Sequence, residues 1–192
     1  MTTRELSEVI ACNPVVAAVK NEEGLLKCLE TDIGIIFVLY GDVCSVSKIV
    51  RRIKEKGKVA MVHIDLITGL SPKEVSVDYI RECTEADGII TTRANLIPRA
   101  KALGLNTVLR FFMLDSLALM NVEKQARQEL QPDIIELLPG ILQTSFMSKV
   151  VKISRVPVMA GGLITDKQEV ISALKSGVIA ISTTNQKLWT ES

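Results

Sequence analysis

"MAGGLI" at residues 159–164 and "AISTTNQKLW" at residues 180–189 are the two stretches whose reading decides the fold. Each is a short apolar run that stops abruptly, the first in paired glycines and the second in small hydroxyl residues. Such runs read as strands buried on both faces, as in parallel sheets covered by helices. Between them "DKQEVISALKSG" carries Val170 and Leu174 four apart and ends at Gly177, which is the pattern of an amphipathic helix with a glycine stop.

The same alternation runs back along the chain. Apolar runs occur as "VVAAV" from Val15, "IGIIFVL" from Ile33, "VAMVHIDL" from Val59, "GIITT" from Gly88, "TVLRFF" from Thr107, "DIIELL" from Asp133, "PVMA" from Pro157 and "VIAIS" from Val178. "SKIVRRIKEKG" gathers Ile49, Val50 and Ile53 on one helical side with Gly57 as its stop. "SPKEVSVDYIRECTEADG" predicts a helix capped by Ser71, with Pro72 in first position and Glu74 completing a capping box. Eight strands spaced by roughly 20 to 27 residues, one βα unit each, point to a compact (β/α)8 TIM-barrel-like fold, a single domain over residues 1–192. An open doubly wound sheet uses the same units and is the competing arrangement. The chain falls just under the usual barrel length of about 200 residues, which leaves little room for an inserted lid.

Composition narrows the function classes. With 47% hydrophobic residues the chain can bury a sizeable core, and a net charge of +1 from 23 basic and 22 acidic residues gives no global pull towards a polyanion. Cys12, Cys28, Cys44 and Cys83 form no CxxC pair and His63 is the lone histidine, so a zinc site lacks its ligands and no metal or cofactor is expected. The start "MTTRELSEVI" lacks a signal-peptide pattern, and "IGIIFVLY" is too short to span a bilayer. A cytoplasmic protein with reduced thiols and no membrane partner is expected.

In barrels, ligands sit at the C-terminal ends of the strands, and phosphate is commonly held after strands seven and eight. Gly161, Gly162 and Leu163 follow the seventh run, where absent side chains let backbone N–H groups approach an anion. Ser182, Thr183 and Thr184 follow the eighth and precede "NQKLW", so their amides and hydroxyls open a short helix whose positive end faces the same point. A tight turn and a helix cap are the plainer readings of these two motifs; their joint position favours a cradle for one phosphate. Other strand ends supply His63 and Asp65, two apart and hence on one strand face, with Thr91, Thr92 and Arg93, then Arg110, then Glu136. Charges within apolar strands need partners, so Asp65, Arg110 and Glu136 either meet a ligand or pair with one another.

The strings "MVHIDLITGL", "DGIITTRANLIPRAK", "LRFFMLDS", "PDIIELLPGI", "PVMAGGLI" and "STTNQKLW" together resemble the glycerol-3-phosphate-responsive antiterminator family, in order and over nearly the whole chain. The resemblance implies a barrel regulator that binds sn-glycerol 3-phosphate as effector and acts on leader mRNA to let transcription into glycerol-use genes proceed. The family's strings fall on Ala160 to Gly162, Ser182 to Asn185, His63 to Leu66, Thr91 to Asn95 and Ile135 to Gly140. Thr91 stands where the family has serine, which keeps the hydroxyl. RNA binding has no signature of its own here: aromatics are 4%, and the basic stretches are "RRIKEKGK" at 51–58 and Lys149, Lys152 and Arg155. A non-catalytic regulator is the favoured reading, in which Asp65 and Glu136 accept from the ligand's hydroxyls while Arg110 or Arg93 balances charge. The alternative is a barrel enzyme on a small phosphorylated polyol or sugar, of aldolase or isomerase type, with Glu136 or Asp65 as base and His63 as acid. Against it stand the missing strand lysine for a Schiff base and the missing metal ligands. A metal-assisted phosphodiesterase would want a histidine pair. The sequence leaves a homo-oligomer open.

Overall fold

Residues 3–190 are described by a computed structural model. Eight parallel strands close into one barrel in sequence order. They are β1 (Val15–Val19), β2 (Ile35–Val38), β3 (Val59–His63), β4 (Gly88–Thr91), β5 (Asn106–Phe112), β6 (Ile134–Leu138), β7 (Val158–Gly161) and β8 (Ile181–Thr183). Closure rests on β8 pairing with both neighbours, Val15 opposite Ile181 on one side and Ala160 opposite Ile181 on the other. The open-sheet alternative is thereby excluded.

Helices α2 (Glu22–Leu29), α3 (Val46–Glu55), α4 (Glu74–Cys83), α5 (Ile97–Ala102), α6 (Ser116–Ala126), α7 (Thr144–Ile153) and α8 (Lys167–Lys175) follow the first seven strands. Within the described residues β8 is followed by a 3₁₀ turn, Gln186–Trp189, in the place of an eighth outer helix. Each helix turns its apolar stripe to the barrel wall: Val46, Ile49, Val50 and Ile53 of α3 join the outward-facing Ile36, Val38, Ala60 and Val62 in one core. α1 (Thr3–Cys12) precedes β1, and its Leu6 and Ile10 pack among the inward-facing Val16, Ile35, Phe37, Met61, Ile134 and Met159. That helix stoppers the N-terminal end of the barrel, a role the sequence reading did not assign to it.

Strand periodicity then sorts the inner face into layers. Met61 precedes His63 by two positions, Val108 precedes Arg110, Ile134 precedes Glu136, Met159 precedes Gly161 and Ala180 precedes Ser182. The first of each pair is apolar and belongs to the inner core, so the second faces the same lumen one layer nearer the C-terminal mouth. A dry plug thus carries a polar top layer. The opposite face is fastened by acids at strand entrances: Asp87 accepts from Ala60 N (2.9 Å) and Lys54 Nζ (2.6 Å), and Asp133 accepts from Thr107 N (2.8 Å) and Lys101 Nζ (2.8 Å).

Three local expectations need correction. The third strand ends at His63, and Asp65 lies in a 3₁₀ turn, Ile64–Leu66, so His63 and Asp65 do not share a strand face. Helix α4 begins at Glu74 with Lys73 at its N-cap position and no side-chain cap. Ser71 lies outside it, where its N–H donates to Ser76 Oγ at 3.0 Å in place of the expected capping box. The eighth strand is confined to three residues from Ile181, rather than starting at Val178.

Candidate functional site

The polar top layer is a connected network. Arg110 and Glu136 stand opposite one another in the β5–β6 register, and Arg110 Nε donates to Glu136 Oε2 at 2.6 Å. Ser182 Oγ donates to the other carboxylate oxygen at 2.5 Å. Glu136 is wholly buried and Arg110 nearly so, which makes this a dry ion pair whose acid has both oxygens engaged. Gly161 sits opposite Ser182 on the neighbouring strand, and a Cβ there would overlap both Ser182 Oγ and Glu136 Oε1. Close approach is therefore the reason for glycine at 161.

A second cluster lies beside the first. Asp65 accepts from the Thr91 hydroxyl (3.0 Å), the Thr92 hydroxyl (2.9 Å) and the Thr92 amide (2.7 Å), and Arg93 Nε stands 3.5 Å from it. These bonds tie the loop after β4 to the turn after β3. His63 sits between the clusters and is almost entirely buried, and its Nδ1 has no hydrogen-bond partner among the described residues. Burial holds its pKa down to about 4, aided by the Arg110 charge and opposed by that of Asp65, so the imidazole is neutral at pH 7.

The loops after β7 and β8 are stapled together. Thr183 Oγ1 donates to Ile164 O (2.9 Å) and accepts from Asn185 N (3.0 Å), while Asn185 Nδ2 donates to Thr165 O (2.6 Å). Gly140 N donates to Gly162 O (2.9 Å), which adds the loop after β6. Gly162 and Leu163 both have positive φ, 75° and 61°. For an exposed leucine that is a costly conformation, on the order of 1–3 kcal/mol, and such outliers gather at ligand sites. Among the described residues the amides of Gly162, Leu163 and Thr184 have no acceptor.

Set against the sequence expectations, the structure brings His63, Arg110, Glu136, Gly161 and Ser182 into one layer and gathers Asp65, Thr91, Thr92 and Arg93 at its side. It reassigns the hydroxyls of Ser182 and Thr183, which are spent on Glu136 and on the loop staple. The 3₁₀ turn starts after Asn185, whose Oδ1 accepts from Lys187 N, and not from the Ser182–Thr184 run. The staple role of Asn185 was missed, although an asparagine directly before a turn is a recognisable signal. The basic stretch 51–58 is largely engaged by neighbouring elements: Arg52 pairs with Glu22, Lys54 with Asp87, Lys56 with Glu30, and Lys58 is held by the carbonyls of Thr31 and Ile33. Among the described residues no group of three or more metal-ligating side chains forms, and no helix is long and apolar enough to cross a membrane. A surface groove of about 950 Å³ beside α6 reaches the mouth through Thr92 and Arg110.

Fold and site together define a (β/α)8 barrel with a dry lower core and a polar, partly charged mouth. Residues 15–189 match the family described as glycerol-3-phosphate responsive antiterminator, and the chain belongs to that family. It is similar to a glycerol uptake operon antiterminator regulatory protein from Listeria monocytogenes: 34% identity, 92% of this chain and 95% of that one covered, TM-score 0.85. A glycerol uptake operon antiterminator-related protein from Thermotoga maritima is 32% identical, with coverage of 91% and 96% and a TM-score of 0.79. The protein YgcP of Escherichia coli K12 is 41% identical over 185 residues, 96% of each chain. Orotidine 5'-phosphate decarboxylase from Pyrococcus horikoshii, at 17% identity and TM-score 0.68, shares the barrel alone.

Proposed function

We propose that this protein is a cytoplasmic, non-catalytic regulator that binds sn-glycerol 3-phosphate and, in response, acts on leader mRNA to permit transcription into genes of glycerol use. The phosphate sits on the Gly162, Leu163 and Thr184 amides, and no resident cofactor is needed. One observation carries this reading: unpaired N–H donors on two stapled loops at the mouth of a barrel, one of them on a leucine held at positive φ. Oriented amides of this kind favour an anion and need little reorganisation to meet it. The absence of chemistry rests on the acids at the mouth, which are committed to protein donors and poorly placed to serve as a base. Ligand binding across the loops shifts the population towards the state that engages RNA, by no more than its differential affinity for the two states.

Titration calorimetry with sn-glycerol 3-phosphate is the direct test, followed by overnight incubation and product analysis. Saturable binding with intact ligand recovered is expected; turnover would establish the aldolase or isomerase reading instead. Gly162→Asp adds a negative charge on a residue whose own amide belongs to the cluster, with its Cβ in ordinary contact with Leu138 and in a backbone conformation that aspartate tolerates better than most residues. It is expected to weaken binding by about a hundredfold or more, and retained affinity would count against the cradle. A gel shift with the chain's own operon leader, with and without ligand over a range of salt, tests the RNA step.

A further inference from the structure

Placing a phosphate on the amide cluster leaves the polyol end of the ligand unread, and the two acids the sequence offered for it are already engaged. Asp65 is taken by Thr91, Thr92 and Arg93, and Glu136 by Arg110 and Ser182. Among the described residues, one fully buried polar side-chain atom of the layer has no partner. His63 Nδ1 is buried on the inward side of β3's end, between those two clusters, and has no partner among the described residues. A buried nitrogen without a hydrogen bond is expensive, and sites built around one reject ligands that leave it unpaired. The imidazole is neutral at pH 7, as burial beside Arg110 requires, so one ring nitrogen keeps a lone pair able to accept from a hydroxyl.

We infer that His63 Nδ1 accepts a hydrogen bond from a hydroxyl of the bound phosphate ester, and so makes the site selective for a hydroxylated alkyl phosphate over its deoxy analogue. The inference rests on the ligand reading proposed above. It assigns to histidine the discrimination expected, from the sequence, of Asp65 and Glu136.

The chain has a single histidine, so imidazole signals in a ¹⁵N-histidine-labelled sample report on this residue alone. The experiment pairs that spectrum with calorimetry on the wild type and His63→Phe, using sn-glycerol 3-phosphate and propyl phosphate. The wild type is expected to prefer the hydroxylated ester by about tenfold to a hundredfold. His63→Phe is expected to bind both esters within about threefold of the wild type's affinity for propyl phosphate. The Nδ1 resonance, unprotonated in the free protein at pH 7, shifts with sn-glycerol 3-phosphate and stays in place with propyl phosphate. A preference that survives in His63→Phe, a proton on Nδ1 in the free protein, or equal shifts with the two esters overturns the assignment. Should His63→Phe fail to fold, the wild-type spectrum decides alone. Loss of all ester binding by the wild type would bring down the functional reading as well, whereas tight binding with an unmoved Nδ1 removes only this inference.

Discussion

Glu136 is a carboxylate removed from solvent with each oxygen bonded inside the protein, and that sets the cost of disturbing it. Glu136→Ala strands the Arg110 guanidinium in a dry layer and is expected to cost about 3–5 kcal/mol in urea denaturation. The double variant Arg110→Met with Glu136→Leu removes both charges and is expected to fall within about 1–2 kcal/mol of the wild type, on either side. His63 is the second residue with a measurable signature. Its imidazole titrates near 6.5 when unfolded and at about 4 when folded, so between those values the unfolded chain binds more protons. Stability is therefore expected to fall as pH drops through this window, by on the order of 3 kcal/mol from this group. His63→Phe, denatured at a series of pH values, is expected to show a shallower decline.

At the level of elements, the loops after β7 and β8 act as one body because Thr183 joins them. Thr183→Val keeps the shape but loses the bond to Ile164 O and leaves Asn185 N without its acceptor. A loss of about 1–3 kcal/mol in thermal unfolding is expected, with weaker binding of sn-glycerol 3-phosphate by calorimetry, because the amide cluster is no longer held in register. The strands themselves were legible as apolar runs, and the stops of α3 and α8 at their glycines were too. Asp65 was misplaced because a continuous apolar run does not mark where a ladder ends. Its three hydrogen bonds across to the next loop decide that, and they are made by residues distant in sequence.

Across the whole molecule the two ends of the barrel divide the work. The N-terminal end is closed by α1 and fastened by Asp87 and Asp133, while the polar layer and the unpaired amides occupy the mouth. Leu6→Ala, which hollows the stopper, is expected to cost about 2–5 kcal/mol in denaturant unfolding. Affinity for sn-glycerol 3-phosphate, measured by calorimetry on the folded protein, is expected to stay within about twofold, since contacts at the far end couple weakly to the site.

What the sequence determined by itself was the inventory: eight buried strands, the helices between them and the polar residue that each late strand carries at its end. Those follow from periodicity and from the cost of burying backbone and charge, which are local properties of a chain. Closure of the sheet, the pairing of Arg110 with Glu136, the use of the Ser182 and Thr183 hydroxyls and the burial of His63 Nδ1 without a partner among the described residues were decided by tertiary structure. Each depends on which strand lies beside which and on which donors reach an acceptor first, and a linear pattern does not encode that competition.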